Sequence, residues 1–136
     1  INMACFWNSL LNTIKTEDKE TYFNTFNMNL TPHNIVVILK EINKRTENVL
    51  WNNEVLTEQQ LNENKESIDN YNKNTTNDGY YCSTFEPMLF LLVDYLNITI
   101  IHEYNKNIIK YSHKEENRYT INIYSNNNHC WCYLFY

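Results

Sequence analysis

Apolar residues recur with a helical period over the front of the chain and alternate with polar ones over its last third. Phe6, Leu10, Leu11 and Ile14 share one face of a helix beginning at Cys5, and Ile35, Ile38, Leu39 and Ile42 share one face of another. Thr31-Pro32 starts that second helix, the threonine as cap and the proline in the first turn. Thr57-Glu58-Gln59-Gln60 has the form of a capping box and predicts a short third helix. From Asn62 to Asp78 the chain is polar and runs into Asn77-Asp78-Gly79, a turn signal, which predicts a mostly solvated loop. Thr84-Phe85-Glu86-Pro87 then opens a strongly apolar helix through Leu89, Leu92, Val93 and Leu96. Strands are expected over Ile98 to His102, Ile108 to Ser112, Tyr119 to Tyr124 and Trp131 to Phe135. Asn105-Lys106-Asn107 and Asn126-Asn127-Asn128 form turns between them. Helices first and strands last predict an α+β domain, with N-terminal helices packed on a mainly antiparallel C-terminal sheet. There is no internal repeat, so residues 1–136 read as one domain.

Composition narrows the range of functions. At 136 residues and 43% hydrophobic, the chain is long enough to bury a core without staples. Its polarity comes largely from 25 asparagines, a bias that fits an AT-rich genome better than any chemistry. One glycine and two prolines leave no Gly-rich phosphate-binding motif. A net charge of −5 argues against nucleic acid, which calls for a basic stripe, and is compatible with a basic peptide-like partner. The apolar stretch Met88 to Tyr95 is short and carries Asp94, so no membrane span is expected. No signal peptide is visible, and the start at Ile1 suggests a domain cut from a longer protein.

Four cysteines permit two disulfides, but Cys130 and Cys132 flank a single residue on an expected strand, which suits one face better than a bridge. A reduced setting is the expectation. His129, Cys130 and Cys132, with Cys82, supply enough soft ligands for zinc. The Cys-x-Cys spacing is strand alternation rather than a knuckle, so no metal and no cofactor are expected.

Cys5 carries the sharpest chemistry. A lone cysteine commonly serves as a small buried hydrophobe. At a helix start, however, unpaired N–H groups and the positive end of the dipole favour thiolate over thiol. Asn2 stands close enough in the chain for its amide to donate to an oxyanion beside that thiol. Of four histidines, His129 is the best partner: it follows a turn and precedes an aromatic strand, where its ring can sit at a sheet edge. Trp131 and Trp7 are expected to line the groove around the pair, Trp131 covering the edge and excluding water. His33 reads as a helix-surface residue, and His102 and His113 as plain polar positions at strand ends.

These residues resemble a known family. Cys5-Phe6-Trp7-Asn8-Ser9-Leu10 is similar to the nucleophile helix of ovarian-tumour-type (OTU) cysteine proteases, where D-G-N-C-[FL]-x-x-[SA]-[LIV] is typical. Glu86 to Tyr104, an apolar helix running into Asn97-Ile98-Thr99-Ile100-Ile101, resembles the segment in which an OTU helix feeds a central strand. Tyr119 to Tyr124, a turn and then His129 resemble the closing strand, loop and catalytic histidine. Each motif is short; their order spans nearly the whole chain. The Cys-x-x-Asn-Ser start is also similar to the leader protease of aphthoviruses and related viral papain-like enzymes.

The resemblance implies a papain-like cysteine protease with Cys5 as nucleophile and His129 as base. It would hydrolyse peptide or isopeptide bonds after the small-residue tail of ubiquitin or a ubiquitin-like modifier, and cut polyprotein junctions. It implies a monomer in the host-cell cytoplasm, carried in or released from a viral polyprotein, with nidoviruses of the torovirus type as one home. Where OTU enzymes carry aspartate, this chain has Asn2, and Met3-Ala4 replace glycine-asparagine. Trp131 occupies the usual place of the residue that orients the imidazole. That role falls to Asn2, Asn127 or Asn128, or the site works as a dyad. The alternative is a domain that binds ubiquitin or a host protein and has lost the chemistry.

Overall fold

The computed structural model describes residues 5–23, 30–72, 82–125 and 130–135, with side chains over 6–23, 30–72 and 85–125. Within them lie five helices and six strands. The helices are α1 (Cys5–Thr13), α2 (Thr16–Phe23), α3 (Pro32–Glu41), α4 (Glu58–Asp69) and α5 (Cys82–Leu96). The strands are β1 (Val49–Trp51), β2 (Glu54–Val55), β3 (Thr99–Tyr104), β4 (Asn107–His113), β5 (Thr120–Ser125) and β6 (Cys130–Phe135). The class is α+β. The strands form one sheet in the order β2-β1-β4-β3-β5-β6. Its pairings are antiparallel except β3 with β5, which run parallel.

Local chemistry accounts for several element boundaries. Thr31 caps α3, accepting from the Asn34 N–H at 3.2 Å, with Pro32 in the first turn. The capping box at α4 is complete: Thr57 Oγ1 accepts from the Gln60 N–H and Gln60 Oε1 accepts from the Thr57 N–H. Among the described residues, four of the five backbone positions with positive φ are asparagines, Asn52, Asn53, Asn97 and Asn105. Asparagine tolerates the left-handed region because its short amide bonds locally. Asn52-Asn53 and Asn105-Lys106 turn the β1–β2 and β3–β4 hairpins, where two successive positive-φ residues match the twist of the strands. Asn97 ends α5. Part of the asparagine excess is therefore put to use by the backbone.

Three expectations are corrected, and one helix is added that the pattern did not announce. The polar stretch after Gln60 is helical to Asp69, because Leu61 and Ile68, seven apart, are enough to anchor one side of α4. The segment Thr16–Phe23 is a helix with almost no apolar stripe. It is held by Asp18, whose carboxylate accepts from both terminal nitrogens of Arg118 at 3.1 and 2.9 Å and from the Tyr119 hydroxyl. Finally, the strands are not all last, since the β1–β2 hairpin forms between α3 and α4 and extends the sheet by pairing with β4. Helix α5 also starts two residues before Thr84, with Pro87 inside it.

The core lies between α5 and one face of the sheet. Ile100, Tyr111, Ile121, Ile123 and Val49 are buried there, and Phe90 meets Tyr111 and Trp51 edge-on at 5.0 and 6.3 Å between ring centroids. Helix α1 adds Phe6, Trp7, Leu10 and Leu11 to the same core, and Ile14, just past its end, joins them. The opposite face of the sheet carries the exposed Val55, Ile108 and Tyr124. No helix among the described residues is long and apolar enough to cross a membrane.

Candidate active site

Cys5 is the first residue of α1, and the nine-residue helix has no carboxylate in its first turn. Thiolate at this position would meet the helix dipole without an opposing acidic side chain from α1. The helix is fixed from behind. Phe6 stacks on Phe85 with centroids 4.3 Å apart, Trp7 meets the same ring edge-on, and Trp7 Nε1 donates to the Tyr71 hydroxyl at 3.3 Å. Trp7 is therefore not a groove residue. It has no exposed surface, and its indole N–H is satisfied inside the core. It stands two residues after the candidate thiol in the chain, but the helical period turns it inward.

Helix α1 packs along β6, the outermost strand next to β5. The first residue of β6, Cys130, directly follows His129 in the chain and pairs with Ser125. The two elements that bound the candidate pair are thus neighbours, although they come from opposite ends of the sequence. Trp131 is the second residue of β6, opposite Tyr124. Asn2, Asn127, Asn128 and His129 lie outside the described residues. Cys130 and Cys132 fall opposite Ser125 and Ile123, two residues apart along one strand. Among the described residues no three His, Cys, Asp or Glu side chains are grouped to hold a metal.

The remaining histidines differ from one another. His33 is exposed in the first turn of α3. His113, buried at the end of β4, accepts from the Glu115 and Glu116 N–H groups at Nδ1 and so shapes the turn that follows. His102 is inside β3 and fully buried, with Nε2 2.6 Å from Ser125 Oγ. Burial disfavours the charged ring and lowers its pKa to about 4. The strand alternation of Ile98, Ile100 and His102 contained this signal, because it put the imidazole on the apolar face.

Ser125 is held twice to the β3 side of the sheet. Its hydroxyl meets His102, and its carbonyl accepts from the Asn105 N–H at 3.3 Å. It is the last residue of β5, so the chain leaves for residues 126–129 from an anchored point. No family model, curated protein or solved structure matches this chain.

Proposed function

We propose that the chain is a papain-like cysteine protease of the OTU type that hydrolyses the bond following the tail of ubiquitin or a ubiquitin-like modifier. The observation that carries this reading is the packing of α1, opened by Cys5, along β6, which begins one residue after His129. A thiol at a helix start is activated by an imidazole within its reach, and the packing of α1 on the strand that follows His129 supports that reading.

In this mechanism the Cys5 thiolate attacks the carbonyl carbon, and the oxyanion takes hydrogen bonds from the Cys5 N–H and the Asn2 amide. The His129 imidazolium gives its proton to the leaving amine as the C–N bond breaks. His129 then takes a proton from water, whose oxygen attacks the thioester and returns Cys5 as thiolate. Asn2, Asn127 or Asn128 would orient the ring, with less stabilisation of imidazolium than a carboxylate offers. The same site would serve polyprotein cleavage in a host-cell cytoplasm.

A ubiquitin bearing a C-terminal electrophile tests the reading. The expected result is a covalent adduct, detected as a mass increase of the protein, and none with Cys5→Ala. Reversible binding without an adduct would instead favour a modifier-binding domain that lacks the chemistry.

A further inference from the structure

We propose that the open end of the outer sheet face, where Ile101, Glu103, Ile108 and Lys110 meet, is the contact of a two-fold dimer with a second copy of this chain. The dimer involves neither Cys5 nor His129, and it replaces the monomer that the family resemblance implies. Strand alternation defines the face. Ile100 and His102 of β3, Tyr111 of β4 and Ile121 and Ile123 of β5 are buried on the inner side. Ile101, Glu103, Ile108, Lys110, Asn122 and Tyr124 therefore lie on the outer one. One end of this outer face is closed: Thr99 and Ser112 are buried, and Thr99 Oγ1 donates to Asn117 Oδ1 at 2.7 Å. The other end is open, with Ile108 64% and Tyr124 38% exposed.

The register sets four residues at the corners of a quadrilateral. Ile101 stands opposite Lys110 across the ladder, and Glu103 stands opposite Ile108. One diagonal is therefore apolar, from Ile101 to Ile108, and the other is charged, from Glu103 to Lys110. Among the described residues, neither Glu103 nor Lys110 enters an ion pair within the chain. A two-fold axis laid along the apolar diagonal brings Lys110 of one copy within reach of Glu103 of the other, twice. Ile101 and Ile108 then each meet their own counterparts. That reciprocity is what an isologous contact requires. A basic or an acidic partner would satisfy one of the two charges and oppose the other; a second copy satisfies both. The isoleucines supply the burial, while the ion pairs add little affinity and fix the register.

Sedimentation velocity from micromolar to millimolar protein tests the dimer, with thermal unfolding of each variant in parallel. The wild type is expected to show a concentration-dependent monomer–dimer equilibrium. Lys110→Glu or Glu103→Lys sets like charges together at two places and should weaken association about tenfold or more. The double exchange, Lys110→Glu with Glu103→Lys, should restore it. If a reversal does not fold, NMR on a mixture of differently labelled wild-type copies reads the same contact, as Ile101 and Ile108 methyl signals that cross between copies. A wild type that stays monomeric to millimolar concentration would overturn the proposal. So would single reversals that dimerise like the wild type, a double exchange that stays monomeric, or a dimer with no crossing signals at Ile101 and Ile108. A monomeric protein whose Ile101 and Ile108 signals shift when ubiquitin is added would also overturn it, and would give the face to the modifier.

Discussion

Asp18 and Arg118 are a hundred residues apart and form a two-pronged ion pair, the carboxylate buried and the guanidinium partly so. Arg118 also donates to the Leu96 carbonyl from two nitrogens, and Tyr119 adds its hydroxyl to Asp18. One side-chain cluster thus joins α2, the end of α5 and the start of β5. Arg118→Ala leaves the buried Asp18 without its counter-charge, and is expected to destabilise the fold by about 3 kcal/mol, the low end for such a loss because the arginine is 28% exposed. Tyr119→Phe should cost about 1 to 2 kcal/mol. Urea unfolding of both variants measures this. Unchanged midpoints would mean that α2 is held by something else.

The buried His102 gives the fold a defined acid sensitivity. Folded, its pKa is lowered to about 4 by burial; unfolded, it returns to the ordinary value near 6.5. Between those values the unfolded chain binds the extra proton, so stability is fully present above pH 6.5 and is lost as pH falls toward 4. The loss is on the order of 3 kcal/mol. Carboxylates titrate in the same range, so the contribution is read as the difference between wild type and His102→Gln, which lacks the slope. Parallel stability curves for the two proteins across that interval would contradict the assignment.

Trp7 and Tyr71 make a buried aromatic contact with a hydrogen bond inside it. Tyr71→Phe keeps the packing and strips the indole N–H of its partner, at an expected cost of about 1 to 2 kcal/mol. Trp7→Ala removes the side chain that backs α1 and should cost about 3 to 5 kcal/mol. Thermal unfolding distinguishes the two, and a cost for Trp7→Ala below that for Tyr71→Phe would place Trp7 outside the core.

Helix α4 buries only Leu61 and Ile68 of its 12 residues and otherwise presents a polar surface. Its capping box should therefore be felt. Thr57→Ala is expected to lower stability by about 1 kcal/mol, and hydrogen exchange should show faster opening of residues 58–61 than in wild type. Equal exchange rates would show that Leu61 and Ile68 alone anchor the helix.

The sequence was legible wherever burial and backbone pattern coincide. The helical stripe of α1, the Thr31-Pro32 start of α3 and the alternation over β3 to β5 each report a face packed on one core. The pattern was silent where other forces hold the chain. α2 is held by Asp18 meeting Arg118 and by Tyr22 and Phe23 meeting Tyr95, contacts no local window contains. The β1–β2 hairpin has strands of three and two residues, too short for a period, and its one signal was the Asn52-Asn53 turn. At the candidate site, the helix start at Cys5 and the strand start beside His129 were both readable, but their adjacency belongs to the sheet order. Trp7 stands two residues from Cys5 in the chain, yet its helical position turns it into the core.

In the proposed mechanism Cys5 is a thiolate held by His129. The rate of Cys5 alkylation by iodoacetamide against pH, in wild type and His129→Ala, tests it most directly. The proposed mechanism predicts a wild-type midpoint well below the ordinary thiol value of about 8.5, shifted upward when His129 is removed. A midpoint at the ordinary thiol value in both proteins would contradict it.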